Sequence, residues 1–336
     1  MGLEDYYAGI AEGDGARLVT ERGEYMLRIT TVSFMECFEL ARLSVARFGS
    51  LPFLRAEEEM GHFVFRVVTP RREAYTWFND KTFTLASTRQ PLDYLKGMYL
   101  AEGAVELRVE PRRRGYYRGV HFIEIATSSR DTYDRLTYAL KQLGYTYGTY
   151  PRGKLLRVRV FDRRFYEACK AVDCTYKWFA LRFGLGEIDY ATWIAGMWLD
   201  YWLLNKFLAM VRLELSEAGY VDFQEHEAEA FTYLYGLEPH EYARRNLAGK
   251  VYVAELNRAL SPSDYAHPYC WHVLLGARTG GELLEKAARL GRWLSVRGYM
   301  HDVASQLGRY RKRAMRVIEL EEEMEAEQLA QLDGFW

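Results

Sequence analysis

Two acids, Asp14 and Glu102, stand in the same local setting 88 residues apart. The settings are Tyr7-Ala-Gly-Ile-Ala-Glu-Gly-Asp-Gly15 and Leu95-Lys-Gly-Met-Tyr-Leu-Ala-Glu-Gly103. Each reads as an apolar helix that ends in a small residue, an acid and a glycine. The acid therefore falls on the last helical turn, at the negative end of the helix dipole, where an anion costs roughly 0.3–1 kcal/mol. Gly9 and Gly13 share one helix face, as do Gly97 and Ala101. Such faces let two helix backbones come very close, the steric part of small-xxx-small pairing. Packed side by side, the two helices would also bring the carboxylates together. A divalent cation bound between them removes both penalties. Gly15 and Gly103 suit the left-handed position just past a helix end.

The elements needed to position this pair occur twice. Over residues 1–90 the order is helix, strand, strand, helix, strand, strand, helix. After the 4–13 helix come strands 16–20 and 25–32, a helix 33–48 with Ser33 as N-cap and Gly49 as stop, strands 54–60 and 62–69, and a helix 72–81. Residues 91–184 repeat the plan: helix 92–101, strands 104–110 and 119–126, helix 130–143, a hairpin 145–150 and 155–161, and a helix 163–183 ending at Gly184. An internal repeat of order, length and motif outweighs any one element. The fold class is α+β: two αββαββα repeats related by a pseudo-twofold, followed by a mainly helical region, 185–336.

Strand alternation assigns faces. In 104–110, Val105, Leu107 and Val109 face one way and Glu106, Arg108 and Glu110 the other. In 155–161, Leu156, Val158 and Val160 face in, and Arg157 and Arg159 face out. Arg17, Arg28 and Arg66 are assigned to the matching polar face of the first repeat. Between strands 104–110 and 119–126 lies a turn with Arg112, Arg113, Arg114 and Arg118; Lys154 sits in the next hairpin turn. A solvated sheet face would carry such residues too. Repetition on matching strands of both repeats, beside an acid pair, favours contacts with phosphates and bases.

Composition fits. At 336 residues the chain can bury a sizeable core. Its 49% hydrophobic and 27% charged residues are ordinary for a globular protein. The net charge is −1, yet Ala104–Tyr166 holds 14 Lys/Arg against 6 Asp/Glu, a basic patch on a neutral chain. Cys37, Cys169, Cys174 and Cys270 have no zinc spacing and read as free thiols. The N-terminus carries acids in its apolar run and no basic n-region. No uncharged apolar stretch reaches the ~18 residues of a membrane span. A cytoplasmic protein that crosses no membrane is expected.

Taken together, the motifs resemble the LAGLIDADG homing endonucleases in their single-chain, two-motif form. The nonapeptide maps onto Tyr7–Gly15 and Leu95–Gly103, with glycine at its third position (Gly9, Gly97), acid at the eighth (Asp14, Glu102) and glycine at the ninth (Gly15, Gly103). Glu in place of Asp at 102 keeps the charge. The resemblance implies sheets lying along the major groove of double-stranded DNA, motif helices at the pseudo-twofold axis, and a monomer with an internal pseudo-dimer. It implies Mg²⁺ or Mn²⁺ held by Asp14 and Glu102, with the carbonyls of Gly13 and Ala101 as co-ligands, for site-specific phosphodiester hydrolysis. Basic residues near the active site are also implied; Lys154, Arg66 and Arg157 are the candidates. Two alternatives use the same fold: a non-catalytic DNA-binding transcription regulator and an intron RNA maturase.

The region 185–336 contains Tyr190–Leu204, superficially a third motif but with Tyr201 and Trp202 where the acid and glycine belong, so it is expected as a buried core helix. Helices are expected over 225–235 and 239–246. His267, Cys270 and His272 lack a second ligand pair and read as a packed turn. A helix-turn-helix is expected near 282–318: helix 282–294, then Met300–Gly308, then a recognition helix opened by Arg309, Arg311, Lys312 and Arg313. The acidic run Glu319–Glu327 reads as a solvated helix end.

Overall fold

The computed structural model describes residues 2–59, 62–79, 89–111, 117–151, 153–217, 223–246, 277 and 279–299. Helix α1 (Leu3–Asp14) leads into β1 (Gly15–Val19) and β2 (Tyr25–Thr31), then α2 (Phe34–Phe48), β3 (Phe53–Glu59), β4 (His62–Thr69) and α3 (Arg72–Asn79). The second unit has α4 (Pro91–Glu102), β5 (Gly103–Pro111), β6 (Tyr117–Thr127), α5 (Arg130–Gln142), β7 (Tyr147–Thr149), β8 (Leu156–Val160), α6 (Arg163–Lys170) and α7 (Lys177–Gly184). Each unit folds one antiparallel sheet, in the orders β1-β2-β4-β3 and β5-β6-β8-β7. The αββαββα plan is thus present twice.

The two units meet along α1 and α4. A Cβ on Gly9 would lie 2.3 Å from the Tyr94 carbonyl oxygen and 3.0 Å from the Gly97 Cα. One on Gly97 would lie 2.1 Å from the Tyr6 carbonyl oxygen and 3.0 Å from the Gly9 Cα. The backbones therefore touch, and no side chain fits between them. At the other end, the aspartate of each first turn caps the partner helix. Asp5 Oδ2 accepts from the Gln90 amide at 2.6 Å, and Asp93 Oδ2 accepts from the Gly2 amide at 2.5 Å. Asp5 and Asp93 are 88 residues apart, as are Gly2 and Gln90, so the pseudo-twofold extends to hydrogen bonds. The turns after β2 and β6 match as well: the Ser33 amide donates to Thr31 Oγ1 and the Ser129 amide to Thr127 Oγ1.

Three expectations need correction. Gly15 and Gly103 are not left-handed; their φ values are −83° and −72°, extended, and each begins a strand directly. Glycine is required there because a Cβ would lie 2.2 Å from the Ala11 carbonyl oxygen or 2.3 Å from that of Tyr99. The helix expected over 163–183 is broken into α6 and α7. Asp173 Oδ1 accepts from both the amide and the hydroxyl of Thr175 at 2.7 Å. Local bonds of this kind compete with helical pairing. Finally, Arg17 pairs in register with Leu27, which is fully buried. It lies on the helix side of its sheet, over the Tyr75 ring, and not with Arg28 and Arg66.

The C-terminal helices pack onto these units. Tyr190–Leu204 is buried as expected, but it divides into α8 (Tyr190–Met197) and a π-helical segment Trp198–Leu204 that runs into α9 (Asn205–Glu217). Gly196 lets α8 seat beneath the Phe179 ring of α7, since a Cβ would meet that ring at 2.1 Å. Ser33 occupies the N-cap of α2, yet its side chain makes no capping bond; Asn205 Oδ1 accepts from the Phe34 amide at 2.8 Å instead, while its Nδ2 donates to the Val32 carbonyl. Helices α10 (Glu225–Tyr235), α11 (Pro239–Asn246) and α12 (Gly280–Val296) complete the described chain. Among the described residues, no helix is long and apolar enough to cross a membrane. The segments holding His267, Cys270, His272 and 300–318 lie outside the described residues.

A Gly9→Ala or Gly97→Ala substitution must force the helices apart. Each is expected to cost about 3 kcal/mol, the upper end of the range for overpacking, read as a loss of melting temperature. The same change at Gly281, where the nearest atom is the Thr279 hydroxyl in ordinary contact at 3.6 Å, serves as the mild control.

Candidate active site

The close approach of α1 and α4 carries through to their C-termini. A Cβ on Gly13 would meet the Ala101 Cβ at 2.6 Å, the Glu102 Cγ at 2.9 Å and the Glu102 Oε1 at 3.7 Å. Gly13, Asp14, Ala101 and Glu102 are thus one group at two adjacent helix ends. Asp14 is partly buried, and its carboxyl is pushed up to about 7, first by burial and then by the Glu102 carboxylate, with Lys177 opposing. Two carboxylates so placed disfavour each other's ionisation.

Lys177 was not visible as a site residue in the sequence. It is buried, it opens α7, and its Nζ donates to the Leu100 carbonyl at 2.5 Å and lies 3.4 Å from that of Tyr99. It therefore caps the C-terminus of α4 with positive charge, where the dipole favours it. The α6–α7 break that positions it is itself anchored to α4, since Tyr99 Oη donates to Asp173 Oδ2 at 2.5 Å. At the end of α1 a different cation does the equivalent work. Arg135 of α5 binds Glu12, which also accepts from Tyr94 Oη at 2.8 Å and Thr132 Oγ1 at 2.6 Å. These bonds cross from the first unit to the second.

Behind Asp14 lies a buried polar group. Glu36 accepts from Thr31 Oγ1 at 2.5 Å; burial pushes its carboxyl up to about 8, with Lys177 opposing. Asp173 is raised by burial, against the effects of Lys177, Tyr99 and Thr175. Asp200, in the π-helical segment, is raised by burial and by Asp173, and neither of its oxygens has a hydrogen-bond partner among the described residues. An ammonium surrounded by Asp14, Glu36 and Asp173 has more carboxyls than it can neutralise. Raised affinities for protons are the consequence.

The sheet register places the basic residues. Gly15 is in line with Ile29 and Val67, and Gly103 with Ile125 and Val158. One residue further along, Arg66 and Arg157 occupy equivalent register positions, on the faces away from the helices. Arg28 and Arg159 share those faces. Lys154 is exposed in the β7–β8 turn, after Gly153 at φ 62°. Arg108 and Arg118 lie on β5 and β6, but their side chains fall outside what the structure describes. Arg112, Arg113, Arg114, Arg309, Arg311, Lys312 and Arg313 lie outside the described residues altogether.

Two motif helices in backbone contact, an acid at each end and a four-stranded sheet from each unit form one recognisable design. The described chain has two LAGLIDADG-like αββαββα units. Solved structures that it resembles include a homing endonuclease and a LAGLIDADG domain, all at low identity. The homing endonuclease I-DmoI is 17% identical over 50% of this chain and 94% of its own, with a TM-score of 0.37. The N-terminal LAGLIDADG domain of DUF199/WhiA is 15% identical over 50% of this chain and 80% of its own, at 0.36. I-SmaMI, bound to an uncleaved DNA target with calcium, is 12% identical over 58% of this chain and 91% of its own, at 0.39. No protein-family model matches the chain, and no curated protein does.

The acid pair suits a divalent cation. Among the described residues, no group of three or more His, Cys, Asp or Glu forms a metal cage. Two carboxylates with helix-end carbonyls, completed by substrate oxygens, is the donor set in which Mg²⁺ is usually held. The raised carboxyls also set a pH dependence. Asp14 moves from 3.8 to about 7 and Glu36 from 4.5 to about 8 on folding. The folded chain therefore holds more protons than the unfolded chain between about pH 4 and 8, and stability falls as pH rises through that window. Metal-free protein is expected to melt lower at about pH 8 than at about pH 5, and Mg²⁺ to restore more at the higher pH. Asp14→Asn is expected to flatten the decline and remove most of the Mg²⁺ effect. A melting temperature independent of both, by scanning fluorimetry, would contradict this site.

Proposed function

We propose that the chain is a metal-dependent, site-specific endonuclease of double-stranded DNA. The observation that carries this reading is the pairing of Asp14 with Glu102 at two touching helix ends, between sheet faces that carry Arg28, Arg66, Arg157 and Arg159. A bound Mg²⁺ or Mn²⁺ would supply positive charge at the phosphate and lower the pKa of an attacking water. The chain's own residues do the rest. Asp14 and Glu102, with the carbonyls of Gly13 and Ala101, would hold the cation. Lys177 fixes the last turn of α4, and Arg135 fixes that of α1 through Glu12. Arg66 and Arg157 meet phosphates beside the pair. A water oxygen bonds to phosphorus as the bond to the leaving sugar oxygen breaks, and the leaving oxygen takes up a proton. One chain supplies both halves of the site, so it acts as a monomer with an internal pseudo-dimer.

An intact acid pair argues against the non-catalytic regulator, in which it would be dispensable. The maturase reading would use the same faces on RNA. With Mg²⁺ or Mn²⁺, the protein is expected to cut duplex DNA drawn from the region flanking its gene. Asp14→Asn and Glu102→Gln should each lower the rate by at least about a hundredfold and leave duplex binding in place. Wild-type binding without cleavage in either metal would sink the nuclease reading and favour the regulator.

The segment beyond 299 carries the basic run Arg309–Arg313, which we read as a second DNA contact. Leu283, Ala287, Leu290 and Leu294 of α12 are buried, so a truncation must fall after Tyr299. Removing 300–336 is expected to weaken duplex binding and reduce its salt dependence while cleavage persists at saturating protein. Unchanged affinity would rule out the contact.

A further inference from the structure

Two arginines of the second sheet, Arg157 and Arg159, are already occupied. Ala104, Glu124 and Arg159 are neighbours in register across β5, β6 and β8, on the face away from the helices. Arg157 Nη1 donates to Glu124 Oε1 at 2.9 Å, and Arg159 Nε donates to Glu124 Oε2 at 2.7 Å. One carboxylate thus holds two guanidiniums, one on each oxygen. The side chains of Glu124, Arg157 and Arg159 keep 11%, 23% and 13% of their exposure, so this is no loosely solvated surface pair. Arg159 is fixed further between aromatic faces, 4.7 Å from the Phe122 centroid and 4.2 Å from that of Tyr150.

The first sheet is built differently. Arg28 stands where Glu124 stands, since Ala16, Arg28 and Val68 are its neighbours in register. Arg66, the counterpart of Arg157, is paired with Glu57 and Glu59. Those carboxylates keep 38% and 49% exposure. Exposed pairs of that kind contribute little and yield to salt. The half of the surface with the firm lock is the second.

A guanidinium fork fits carboxylate and phosphate alike. A phosphate approaching Arg157 or Arg159 must therefore displace Glu124 or accept a share of the same donors. We propose that Glu124 is a built-in competitor that withholds Arg157 and Arg159 from the DNA backbone, and so is a specificity-determining residue. The proposal rests on the DNA reading given above. On a non-cognate duplex the exchange of one anion for another returns almost nothing. On a cognate site, added base-edge contacts supply what releases the lock. Specificity is a difference of affinities, and this device acts by lowering the wrong one.

The test is Glu124→Gln, which keeps shape and removes charge. Its binding to a non-cognate duplex is expected to tighten severalfold, with a steeper salt dependence, by about 0.9 in the log–log slope for each arginine released. Cognate affinity gains less, so discrimination falls. The triple variant Glu124→Gln/Arg157→Gln/Arg159→Gln should return the slope to the wild-type value or below. Elution from immobilised heparin, a polyanion without bases, reads the same release independently of DNA, and Glu124→Gln is expected to elute at higher salt. Unchanged heparin elution with an unchanged slope overturns the proposal, whether or not the wild type cuts DNA. Later heparin elution with no duplex binding by either protein keeps Glu124 as the arginine lock and overturns the identification of the polyanion as DNA.

Discussion

The backbone contact between Gly9 and Gly97 is the constraint on which the rest of the molecule depends. It sets the distance between α1 and α4 at a value no side chain allows, with carbonyl oxygens where Cβ atoms would be. That distance fixes the separation of the two helix ends and hence of Asp14 and Glu102. It also fixes how the sheets follow, because β1 and β5 begin at the residues directly after the acids. A short, shared origin for helix end and strand start leaves little freedom between the acid pair and the arginine faces. The geometry of the candidate site is therefore set mainly by packing, and its electrostatics are a cost of that packing. Burial and proximity push Asp14 up to about 7, a penalty that a cation would relieve.

Symmetry holds where the backbone does the packing and fails where side chains tie the helix ends. Asp5 and Asp93 cap each other's helices, and the Thr31 and Thr127 turns are alike. By contrast, the end of α1 is tied by the Glu12–Arg135 pair, whereas the end of α4 is tied by Lys177 to main-chain carbonyls. Position 12 corresponds to Leu100, which has no side chain to bind a cation, so the carbonyl takes over. Arg28 and Glu124 are an equally direct contrast. A single chain can let the two halves of a paired site diverge in this way without losing the shared axis.

How much of this was legible in the sequence depends on range. The acids, the small-residue faces and the strand order were legible because each is a local pattern that recurs 88 residues later. Helix α10 ends where Gly236, left-handed at φ 69°, stops it. Lys177 was not legible: it lies 77 residues from Leu100, in a stretch whose helical periodicity hid the break made by Asp173 and Thr175. Arg17 failed for the reason that strand faces are hard to assign at sheet edges. A shift of one residue reverses the face, and β1 has just five residues with no buried one among them. Gly15 and Gly103 were read as suited to a left-handed helix end, but both are extended, and it is a clash with the preceding turn that demands glycine.

The acids on the sheet face show most directly what spacing conceals. Glu106 and Glu110 stand out in the sequence as unwelcome beside DNA, because they alternate with Arg108 on one strand. The acid that matters by geometry is Glu124, which in sequence is flanked by isoleucines and lies more than thirty residues from the arginines it holds. Sheet register alone makes it their neighbour. Counting charge along the chain therefore overstates the positive surface: of the excess basic residues in Ala104–Tyr166, two are answered by one carboxylate at hydrogen-bond distance. A binding face built this way is quiet toward polyanions in general and responsive to a ligand that offers more than charge.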